Sequence, residues 1–277
     1  MDAALDHVMF ACEDLDAMRD TFDRIGLPAT YGGVHDEVPT EMAMLGFDNG
    51  TYLELIAPVE SDHPPDDWPD AMFTAGPCRW CLRTDEIHRE LDGLEAAGAT
   101  VHGPTDAARE RPDGTVVEYE EAVYGADESF WQFPFLVSDI TPRDQRIVQS
   151  DWAAESPLSG ITEVVIAVAD LDDAIDQFRR LHGYQAPKRS EHVPLDATIA
   201  SFPETPVTLA EPLSDDTRLS ARLENFEEGP CAVLLGARDF TAATATFPTT
   251  PAEEWNNSRI AWFDVPELEQ RVGILEQ

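Results

Sequence analysis

The apolar positions of this chain fall into short continuous runs, each followed by a stretch with helical spacing. The run Val8 to Cys12 precedes Asp14, and Leu15, Met18, Phe22 and Ile25 then follow at intervals of three and four residues. Such a run fits a buried strand, Asp14 an N-cap, and the spacing one stripe of a helix lying on a sheet. The pattern returns 156 residues later: Val8, Ala11, Asp14, Leu15, Asp16, Asp20, Phe22 and Arg24 reappear as Val164, Ala167, Asp170, Leu171, Asp172, Asp176, Phe178 and Arg180. An internal repeat of this kind means that the chain is assembled from copies of one supersecondary unit.

A finer repeat lies inside each half. Gly76-Pro77-Cys78 introduces a strand-like stretch and a helix face carrying Ile87, Leu91 and Leu94. Gly229-Pro230-Cys231 introduces a similar run, 232–235, and a helix expected from Asp239. Strand-then-helix starts thus lie near residues 4, 77, 160 and 230, with further strands expected at 41–47, 51–57, 115–124, 129–138, 198–202, 207–210 and 260–265. Asp48-Asn49-Gly50 and Pro112-Asp113-Gly114 are hairpin turns by composition. The fold class is α+β: a β-α unit followed by two or three strands, used four times. Residues 61–77, with four prolines and four acidic residues, read as an exposed connector. The polar stretch 141–159 reads as the boundary between a domain at 1–145 and a second at 156–277. Only 46 residues follow Cys231, so the last unit is expected to lack a strand.

Charge changes the picture of the surroundings. Asp plus Glu is 55 against 18 Lys plus Arg, a net −37, and Lys188 is the one lysine among the 18. A surface this acidic repels phosphate backbones and anionic membranes, so neither is an expected partner. Self-repulsion on this scale is relieved by screening at high salt, which suggests a halophile's cytoplasm. No apolar run approaches the roughly 18 residues of a membrane span, and the acidic first 25 residues do not read as a signal peptide. Cys12, Cys78, Cys81 and Cys231 are too few for a disulfide framework. A cytoplasmic monomer or homodimer is expected.

Leu5-Asp6-His7-Val8 followed by Asp14-Leu15-Asp16, and Gly32-Gly33-Val34-His35 leading to Tyr52-Leu53-Glu54-Leu55-Ile56, resemble the vicinal oxygen chelate superfamily, and the second pair its glyoxalase-like members. The resemblance covers essentially the whole chain as tandem βαβββ modules, paired into two curled-sheet domains. It implies a pocket in which a divalent metal is held by side chains of the first and last strands of each module. Carried over residue by residue, those positions are His7 and Glu54, Cys78 and Ser138, Glu163 and Thr208, and Cys231 and Trp262. The ligand set implied is His7, Glu54 and Cys78, with Fe, Mn, Ni or Zn not distinguishable. His7 could equally be a core histidine bonded to Glu54 without metal, and Cys78 a small buried hydrophobe. His35 in a Gly-rich loop, Glu41 near it, and Trp80 on the strand of Cys78 are the expected substrate-binding residues.

Cys78-Arg79-Trp80-Cys81 matches CxxC, but residues three apart on a strand face opposite sides, so chelation by this pair is rejected. The second half lacks histidine at its carried-over positions and reads as inactive, with Glu163 needing a partner if it is buried. Nucleophile elbows, phosphate loops and dinucleotide fingerprints are absent. The resemblance implies a metal-dependent enzyme of lyase, isomerase or dioxygenase type acting on a small oxygenated molecule. The alternative is a metal-free binding protein of the drug-sequestering kind. The residues assign no catalytic base.

Overall fold

The computed structural model describes residues 3–36, 38–59, 76–126 and 130–277. Strand β1 (Ala4–Ala11) leads into α1 (Leu15–Arg24), whose N-cap Asp14 accepts from the Ala17 amide at 2.9 Å. β2 (Thr30–His35), β3 (Thr40–Gly46) and β4 (Tyr52–Pro58) complete the first unit. The second runs through β5 (Gly76–Arg83), α2 (Ile87–Ala96), β6 (Thr100–Glu110), β7 (Val116–Gly125) and β8 (Phe135–Asp139). These eight strands close into a barrel in the order β1-β4-β3-β2-β6-β7-β8-β5. A one-turn helix, α3 (Arg143–Arg146), follows.

The second half repeats the plan. β9 (Leu158–Ala167), α4 (Leu171–His182), β10 (Lys188–His192), β11 (Ala197–Ser201) and β12 (Val207–Pro212) form the third unit. After α5 (Arg218–Asn225) come β13 (Gly229–Ala237), α6 (Phe240–Thr246), β14 (Glu253–Trp255), β15 (Ser258–Trp262) and β16 (Val272–Glu276). Their sheet has the order β10-β11-β12-β9-β13-β16-β15-β14. The α+β class and the four strand–helix starts are as the repeat predicts. The fourth unit does not lack a strand: it is shortened by making β14 only three residues long. Trp262 consequently lies on β15, while β16 is the last strand. The connector expected at 61–77 lies outside the described residues except for Gly76 and Pro77, which begin β5.

One apolar cluster joins the halves. It gathers Val8, Leu53 and Trp80 from the barrel's outer face, Val164, Ile166 and Val233 from the second sheet, and Phe22 and Phe178 from the helices. Burying each such side chain contributes roughly 1.5–3 kcal/mol. Polar ties reinforce the junction: the Asn49 amide donates to the Ile161 carbonyl at 3.2 Å, and the Ile161 amide to Thr51 at 2.9 Å. The stretch 141–159 is no free tether, since the Ser150 amide donates to the Gly46 carbonyl at 3.0 Å. No helix among the described residues is long and apolar enough to cross a membrane.

Candidate functional site in the first barrel

Alternation along the strands decides which side chains face inward. His7 and Met9 of β1, Tyr52, Glu54 and Ile56 of β4, and Thr40 and Met42 of β3 line a cavity of about 200 Å³ inside the barrel. The β1–β5 pairing shifts register between Leu5 and His7. A bulge of this kind re-aims neighbouring side chains. Leu5 packs into the cluster under the helices, whereas Asp6 and His7 both turn inward and meet at 2.9 Å, Oδ2 to Nδ1.

Asp6 is fully buried and held between cations. Arg146 donates to its Oδ2 at 3.1 Å and Arg143 to its Oδ1. Burial alone would raise its pKa, but the hydrogen bond from His7 and the charges of Arg146 and Arg143 outweigh that and hold it well below the usual carboxylate range. An ionised Asp6 can only accept, so Nδ1 of His7 carries the proton and Nε2 faces the cavity. The ring is clamped between Tyr52, stacked at 4.5 Å, and the edge of Phe135 at 5.3 Å.

Glu54 then sits between two imidazoles. Its Oε2 lies 3.2 Å from His7 Nε2 and its Oε1 3.7 Å from His35 Nε2. His35 is fixed through Nδ1, 2.9 Å from Thr40 Oγ1. Burial lowers its pKa from the ordinary value, against the charge of Glu54. His35 does not lie in a loop. It ends β2, where Gly32 and Gly33 are strand residues pressed against Met42, Arg109 and Glu110.

This donor set suits a transition metal in one respect above all. A histidine whose Nδ1 is held by a carboxylate and whose Nε2 points at a second carboxylate is the arrangement metal-binding histidines use. His7 and Glu54 therefore fit, with His35 on the far side of the same carboxylate. Asp6, His7 and Cys81 also cluster within 4.8 Å of one another. That trio suits an ion less well, because Asp6 is engaged by two arginines and burial pushes the Cys81 thiol well above its usual pKa.

Three residues expected at the site do not line the cavity. The β1–β5 register shifts again between Met9 and Phe10, placing a bulge at Cys78. Its thiol ends in an apolar cluster with Met9, Ala11 and Ile56, 3.5 Å from the Met9 carbonyl, and burial raises its pKa to about 12. Trp80 is thereby separated from Cys78. It packs into the cluster under the helices and donates to the Gln132 carbonyl at 3.1 Å. Glu41 alternates with the inward Thr40 and Met42 and accepts instead from Tyr31 at 3.1 Å. In the second sheet, Glu163 does find a partner, Trp255 Nε1 at 2.9 Å, and Trp255 and Trp262 sit in the apolar cluster there.

Several cavity residues were not foreseen. Tyr119, Glu121 and Val123 come from β7, whose alternation marks that face; Arg146 comes from α3. Arg79 enters through the Cys78 bulge, which cannot be read from one strand alone. Its Cζ lies 5.0 Å from the ring centre of Trp131 and 5.2 Å from that of Phe135. Its Nε and Nη2 are shut off from solvent and meet no hydrogen-bond partner.

Residues 5–162 match the model of the glyoxalase-like domain, and the chain belongs to that family. A search of curated proteins returns no match. Among solved structures, a hypothetical protein from Staphylococcus aureus is similar over 100% of both chains, at 13% identity and a TM-score of 0.65, which shows a shared fold. Methylmalonyl-CoA epimerase from Mycobacterium tuberculosis is 20% identical over 48% of this chain and 94% of its own, with a TM-score of 0.39. A Streptomyces coelicolor methylmalonyl-CoA epimerase in complex with 2-nitronate-propionyl-CoA is 17% identical over 43% of this chain and 98% of its own, with a TM-score of 0.37.

Proposed function

We propose that the protein is a glyoxalase-like metalloenzyme that acts on a small oxygenated molecule inside the first barrel. The observation that carries this reading is the Glu54 carboxylate held between the Nε2 atoms of His7 and His35 at the wall of the cavity. His7 and Glu54 would hold a divalent metal, which supplies a Lewis acid for paired substrate oxygens when bound. Asp6 fixes the tautomer of His7. His35, its pKa lowered by burial, is a neutral imidazole at pH 7 and can take a proton on Nε2. Met9, Met42, Ile56 and Val123 give the cavity an apolar wall beside these groups. The chemistry these groups support is proton movement at a carbon next to a carbonyl, the isomerase and lyase class. Dioxygenase chemistry shares the same ligand types.

A metal-free binding protein is the second reading. It is favoured by β5 and β8, which present Arg79, Phe135 and Val137 to the cavity where further donors would stand. Hydrogen exchange with D2O at carbons beside carbonyls, followed by NMR on small hydroxycarbonyl and dicarbonyl compounds with added Mn, Ni, Zn or Fe, separates the two. The enzyme reading predicts catalysed exchange that Glu54→Gln slows by roughly a hundredfold or more. Absence of exchange with every metal, or an unchanged rate in the variant, contradicts it.

A further inference from the structure

Of the arginines that line the cavity, Arg79 is one that the metal reading does not use. Arg79 and Glu54 pair with the same residue, Met9, from opposite sides of β1, so they sit at one level of the barrel. With strands about 4.8 Å apart, their Cα atoms stand about 10 Å from each other. The guanidinium is flanked by Trp131 and Phe135, and neither ring accepts a conventional hydrogen bond. Nε and Nη2, which form the edge of an arginine that grips a carboxylate through two parallel bonds, are both unmet. Leaving buried donors unpaired is unfavourable, and a modest turn onto an anion in the cavity would relieve it. The size limit is also clear: about 200 Å³ falls below the roughly 300–1,000 Å³ of sites for drug-sized ligands.

We propose that Arg79 is the anchor for a ligand carboxylate, so that the molecules taken into the barrel are small carboxylic acids rather than neutral carbonyl compounds. The proposal rests on the cavity being the substrate site, as read above, and is independent of whether a metal is bound. Glu121, on the same wall, already acts on Arg79 with its own charge, so the guanidinium can balance one ligand carboxylate but not two. A monocarboxylate fits this pair of charges better than a dicarboxylate.

The test is ligand-observed NMR on the full chain with EDTA present. The probes are glycolate, lactate and 2-oxobutyrate, each beside its neutral amide. Wild type is expected to bind at least one acid about tenfold or more tightly than its amide, the yield of charge-assisted hydrogen bonds. Arg79→Met should erase that preference, and Arg79→Lys, which keeps the charge and loses the fork, should reduce it. Equal binding of acid and amide by wild type, or no binding of any acid, overturns the proposal without a variant. A preference that survives intact in a folded Arg79→Met protein also overturns it. Because a chelator is present, these outcomes leave the metal reading standing or falling on its own measurement.

Discussion

Asp6 is the residue on which the site's geometry turns. Its carboxylate neutralises Arg143 and Arg146 and orients His7, and Asp6, Arg146 and His7 are all buried. Removing one partner from a buried ion cluster leaves the others uncompensated, so Asp6→Ala should lower stability by roughly 3 kcal/mol at neutral pH, measured by urea denaturation. A loss below about 0.5 kcal/mol, the size of an ordinary surface change, would contradict the account. The pH dependence follows from the depressed folded-state pKa. The contribution of Asp6 is present above the unfolded carboxyl value near 4 and is lost as pH falls through the folded value, so acid unfolding should be shallower in the variant. At this scale His7 and Glu54 were legible through the family resemblance, whereas His35, read as a loop residue beside the pocket, ends β2 instead. Cys78, Trp80 and Glu41 were misplaced. A bulge shifts the two on β5, and Glu41 lies on the outward alternation of β3, whose phase only the partner strands define.

Among the elements, β2 and β6 are the seam that closes the barrel, and their register is short: Val34 opposite Glu110 and His35 opposite Arg109. Gly33 makes that approach possible. Its φ is 110°, and a Cβ there would lie 2.0 Å from the Glu110 carbonyl oxygen. Gly33→Ala should therefore destabilise by about 2 kcal/mol or more in a thermal or urea melt. An unaltered melt would show that the seam opens freely and that His35 is not held by it. Neither strand was legible. The glycine pair of β2 resembles a turn, and β6, Thr100–Glu110, has hardly a buried position along its length. Their structure comes from closure, a tertiary demand with no local periodicity. The helices and the buried strands were legible because their apolar faces meet the common core.

For the whole molecule, a net charge of −37 imposes self-repulsion that no local contact removes. The melting temperature should rise as KCl increases from the 0.1 M range, where the Debye length is about 10 Å, toward 1 M, where it is about 3 Å. A flat or falling curve would mean that ion pairs such as Arg238 with Asp48, which link the two halves, outweigh the repulsion. The repeat made the four-unit plan readable from sequence, and the missing histidines of the second half pointed to an asymmetry; only three dimensions show Trp255 and Trp262 packed in the apolar cluster of the second sheet, against a cavity in the first barrel. That asymmetry supports the proposal that the site lies in the first half. The most direct measurement is metal stoichiometry, by titration of Mn, Ni, Zn and Fe into wild type, His7→Ala and Glu54→Ala. The account predicts one equivalent in wild type and none in either variant. A wild type that takes up none of the four metals, or variants that bind as wild type does, would contradict it.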